Sequence, residues 1–137
     1  MLSEIALRIL SELEEAGEEN IPAMLNTIID GQGASNEVPD YQHALRELVT
    51  VDLVRMTIER DASRRLAAAS KAVSFEEIDR ISTYLRFDHE AKLWRDSRRS
   101  GPPFPSLFPQ IVCTEAGRRK AFEILDERGY QWWRKKA

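Results

Sequence analysis

The chain has 137 residues, 42 % hydrophobic and 31 % charged, a balance that fits one globular domain with a single core and excludes a disordered chain. No apolar run approaches the roughly 18 residues of a membrane span, and Met1 to Glu15 has no small-residue cleavage site, so neither a membrane partner nor a secretory leader is expected. The net charge of −3 gives no overall attraction to nucleic acid, but residues 1–40 hold nine acidic and one basic residue, which leaves the remainder basic.

Ser3 caps a first helix, in which Ile5, Ile9, Leu10, Leu13 and Ala16 recur at helical spacing and Gly17 ends the run. Asn20 caps a second, with Pro22 in its first turn and Met24, Leu25, Ile28 and Ile29 as its apolar stripe. Gly31 to Glu37 reads as a loop, and Asp40 as the cap of a third helix carrying Ala44, Leu45, Leu48 and Val49. After Asp52 the period becomes two: Val54, Met56 and Ile58 alternate with Arg55, Thr57 and Glu59, the pattern of a half-buried strand.

Residues 61–73 are Ala-rich and read as helix, with Leu66, Ala69 and Val73 on one side. Ser74 with Glu77 makes a capping box, which predicts a long helix over 75–98. That helix would carry two apolar faces, one of Phe75, Ile78, Ile81 and Leu85, the other of Tyr84, Phe87, Ala91 and Trp94. Ser100 to Pro109 has four Pro and one Gly and predicts an extended linker. Gln110 to Cys113 reads as a short strand, and Thr114 as the cap of a last helix that Gly129 ends. The fold class expected is mainly α with a small β hairpin. The strand at 53–59 should pair antiparallel with residues 110–114 across the intervening chain.

Chemistry-bearing constellations are scarce. His43 and His89 are the only histidines and Cys113 the only cysteine, and no zinc-site spacing joins them. Asp88-His89-Glu90 lacks the second His of a metalloprotease helix, and Gly31-Gln32-Gly33 lacks the strand and Lys of a phosphate loop. Glu14, Glu15, Glu18 and Glu19 read as a solvated helix end. No enzyme activity, metal or cofactor is expected. The single cysteine fits a reducing, cytoplasmic setting, where it serves as a small hydrophobe.

Two segments carry a family likeness. Ala44-Leu45-Arg46-Glu47-Leu48-Val49 followed by Asp52-Leu53-Val54-Arg55, and Ile111-Val112-Cys113-Thr114-Glu115-Ala116-Gly117-Arg118-Arg119, resemble the end of a recognition helix entering a wing and the return of that wing into a helix. In this respect the chain resembles the winged helix-turn-helix regulators of the MarR and PadR type. The likeness implies one winged-helix domain over 1–137, with an inserted helical pair and Pro-rich linker at 60–109 inside the wing. The Gly in the first turn after Thr114 would permit close packing on the hairpin. Asp52 departs from the family, which usually has Gly there.

The resemblance also implies a function. The start of the third helix would reach base edges of double-stranded DNA through Tyr41, Gln42, His43 and Arg46. Arg60, Arg64 and Arg65 after the first wing strand, with Arg118, Arg119 and Lys120 after the second, would contact phosphates. Separately from the resemblance, the two apolar faces of the long helix are more than one small domain needs, so Tyr84, Phe87 and Trp94, with Ile124, Leu125, Trp132 and Trp133 at the other end, are expected to form a homodimer interface. The expected function is a DNA-binding transcriptional regulator or accessory factor. The alternative is a winged-helix module that binds another protein and not DNA, favoured by the acidic first forty residues.

Overall fold

The computed structural model describes residues 2–59, 66–98 and 109–134. Among them are α1 (Glu4–Ala16), β1 (Glu18–Asn20), α2 (Ile21–Ile28), α3 (Glu37–Thr50), β2 (Val54–Glu59), β3 (Leu66–Ala68), α4 (Lys71–Tyr84), β4 (Leu85–Asp88), β5 (Leu93–Asp96), β6 (Gln110–Cys113) and α5 (Glu115–Arg128). The architecture is mixed: helices with a small antiparallel sheet ordered β1-β6-β2-β3, and a separate β4-β5 hairpin. No helix among the described residues is long and apolar enough to cross a membrane.

The first two helices start where their caps place them. Ser3 Oγ accepts from the Ala6 amide at 3.3 Å, and Asn20 Oδ1 from the Ala23 amide at 2.9 Å. Asp40 is not the cap of α3. The helix begins at Glu37, and Asp40 sits in its first turn. The Glu37 carboxylate gathers the amides of Gln32, Gly33 and Ala34 at 3.0–3.3 Å, which satisfies the loop's backbone and lets the helix start early. Asp52 takes φ 60°, so it adopts the left-handed turn that Gly would otherwise supply.

Residues 54–57 of the alternation do pair antiparallel with 110–113, with Val54 opposite Cys113 and Met56 opposite Ile111. β1 covers the other edge of β6, with Glu19 opposite Ile111. Of the helix expected over 61–73, residues 61–65 lie outside the described residues and 71–73 fall in α4, while Leu66–Ala68 is a correction: it forms β3 against β2, with Thr57 opposite Ala68. Alanines carry no side-chain period strong enough to resist the open backbone edge of β2, and the Ala69 amide extends the contact by donating to Met56 O at 2.8 Å.

The long helix expected over 75–98 is a second correction. Ser70, not Ser74, is the cap, its Oγ accepting from the Val73 amide at 3.2 Å, while Ser74 lies buried inside α4. The helix stops at Tyr84, and the chain then turns back on itself, pairing Phe87 with Trp94. Asp88 Oδ1 accepts from the amides of Glu90 and Ala91, both at 3.0 Å, and Lys92 takes φ 56° to close the turn. Phe87 and Trp94 are seven residues apart, a spacing that suits two helical turns and this cross-strand pair equally well. Among its described residues the insertion is therefore a strand, one helix and a hairpin. Arg60, Arg64, Arg65 and the Pro-rich linker up to residue 108 lie outside the described residues.

One core joins all of this. Ile9 and Leu10 of α1, Met24 and Leu25 of α2, Tyr41 and Leu45 of α3, Met56 of β2, Ile111 of β6 and Ala121 of α5 are fully buried, and Ile78 and Ile81 bring α4 into the same cluster.

Candidate functional site

The third helix is the place to begin. Its start is not free. Tyr41 is in the core, its hydroxyl donating to Ile21 O at 2.8 Å. Gln42 Nε2 donates to the carbonyl of Ile78 at 2.8 Å and Arg46 binds the Asp79 carboxylate, both on α4. The Arg46 guanidinium also lies 4.8 Å from the Phe75 ring centre. Of the four residues expected to face DNA bases, Tyr41 is buried and Gln42 half-buried, while Arg46 in its ion pair and His43, 3.7 Å from the Glu47 carboxylate, reach solvent. The sequence contained no local sign of this cover, because α4 begins only after β2 and β3.

The residues expected to form a dimer face are mostly spent inside the chain. Tyr84, Trp94, Ile124, Leu125 and Trp133 are buried, and Phe87 and Trp132 pack partly buried against the same core. The surplus apolar surface that suggested a second subunit came from the long helix, which the hairpin replaces. Trp94 also fastens the hairpin to α2 and α3: its Nε1 donates to Glu37 Oε1 at 2.9 Å, and Asn26 brackets its backbone with two 2.9 Å bonds. Burial pushes the Glu37 carboxyl up, but the bonds from Trp94 and the Gln32, Ala34 and Gly33 amides outweigh it and hold the carboxyl below the usual carboxylate range.

Around Cys113 a groove of about 620 Å³ is lined by Leu13, Glu14, Glu18 and Arg118 among others. Burial, with Glu14 adding to it and Arg118 opposing, pushes the thiol up to about 12, so this cysteine is no nucleophile at neutral pH. Arg118 lies 3.7 Å from Glu14, and Lys120 lies 3.5 Å from Glu123. Two of the three cations after β6, Arg118 and Lys120, thus have carboxylate neighbours. Among the described residues no group of three or more His, Cys, Asp or Glu is placed to hold a metal ion.

The residues that sequence inspection passed over are on α1. Arg8, Ser11, Glu12 and Glu15 share one helix face, which by itself reads as a solvated stripe. In the fold the segment after α5 lies on it. Trp132 Nε1 donates to Ser11 Oγ at 3.1 Å, and Trp133 Nε1 to Glu12 Oε1 at 3.4 Å. Arg8 Nη1 donates to the Trp133 carbonyl at 2.8 Å, and Arg134 pairs with Glu15 at 2.7 Å. Compared with family models, curated proteins and solved structures, the chain matches none.

Proposed function

We propose that this chain is a protein-interaction module on a winged-helix-type core, and that its third helix does not enter a DNA groove. The core assignment is supported by the order of the first three helices and by the strand order β1-β6-β2, with everything between β2 and β6 inserted.

The observation that carries the function is the seat of α4 on α3. For the side of α3 that carries Gln42 to enter a groove, α4 would have to move aside, although the Arg46–Asp79 pair is itself solvent-exposed and costs little to break. Ile78 and Ile81, both 0 % exposed, would then meet water at about 1.5–3 kcal/mol each. A well-made bidentate contact from Arg46 to a base returns about 1–3 kcal/mol. The cost of uncovering exceeds the gain from reading. Charge argues the same way, since Glu37, Asp40 and Glu47 lie on α3 itself and would repel phosphates.

The test is a mobility shift of the full chain with a random duplex pool at low salt. No shift is expected. A salt-sensitive shift that Arg46→Ala weakens would overturn the proposal and restore groove binding.

A further inference from the structure

We draw no further inference here: the strongest candidate, the groove of about 490 Å³ between β2 and the starts of α4 and α5, carries nothing because Arg55 and Lys71 in its walls are matched by Asp52 and Glu115, Lys71 is already paired with Asp52, and nothing in the structure shows what covers it.

Discussion

Gly117→Ala should destabilise the protein even though alanine is the better helix former. Gly117 sits in the first turn of α5, where its amide donates to Thr114 Oγ1 at 3.0 Å. A Cβ built there would overlap the Leu53 carbonyl oxygen outright and stand 2.9 Å from its carbon. The obstacle is backbone and cannot rotate aside. The same carbonyl accepts from the Thr114 amide at 3.0 Å, so moving it also strains the joint between β6 and α5. Overpacking of this kind costs about 1–3 kcal/mol, and a weakened hydrogen bond adds about 0.5–1.5 kcal/mol. The gain in helix propensity returns about 1 kcal/mol. A net loss of about 2 kcal/mol follows, read as a lower denaturant midpoint at unchanged slope, or as a melting temperature lower by roughly 6–10 °C for a domain of this size. A Gly117→Ala protein as stable as the wild type would refute the close approach of α5 to the β2 corner.

Three further outcomes follow from buried or bonded groups. Glu37→Gln should cost about 1 kcal/mol at neutral pH, the low end for bonds to a charged group because the side chain is partly solvated. Since the Glu37 carboxyl is held low, its contribution is present above the usual carboxylate range and lost as pH falls through the lowered value, so the two melting curves should converge in acid; a constant gap would refute it. Glu12 is the opposite case: burial raises its carboxyl, with Trp133 and Arg134 opposing and Glu19 and Glu15 adding. Its stabilising effect is complete below the ordinary carboxylate value of 4.5 and fades as pH rises, so Glu12→Gln should melt higher than the wild type at pH 8 and alike at pH 4, and a lower melting point at pH 8 would contradict this. Cys113, with its thiol pushed up to about 12 against an ordinary 9.0, should react with a disulfide reagent at least roughly tenfold more slowly in the native state than in denaturant, and comparable rates would place it at the surface.

Much of the fold was legible because its signals are local. Ser3, Asn20 and Thr114 cap helices within three residues of themselves, and the alternation from Val54 to Ile58 states its own period. Gly117 was readable as a close-approach glycine from its place just after a cap. The candidate DNA-facing residues were legible only as residue types. Whether Gln42 and Arg46 face solvent depends on Ile78 and Asp79, more than thirty positions away, and nothing in α3 announces that.

Sequence alone therefore determined the three leading helices, the β2-β6 pairing and the closing helix, since hydrophobic period and capping act over one or two turns. The tertiary structure decided the rest. It made Leu66–Ala68 a strand because β2 offered a free edge. It folded Phe87 onto Trp94 because their spacing suits both a helix face and a hairpin, and the Asp88 turn with the Glu37–Trp94 bond selects the hairpin. It also filled the polar stripe of α1 with Trp132, Trp133 and Arg134. A stripe of Arg, Ser and two Glu has the same pattern whether it faces water or a ligand, and only the arrival of a complementary segment distinguishes the two.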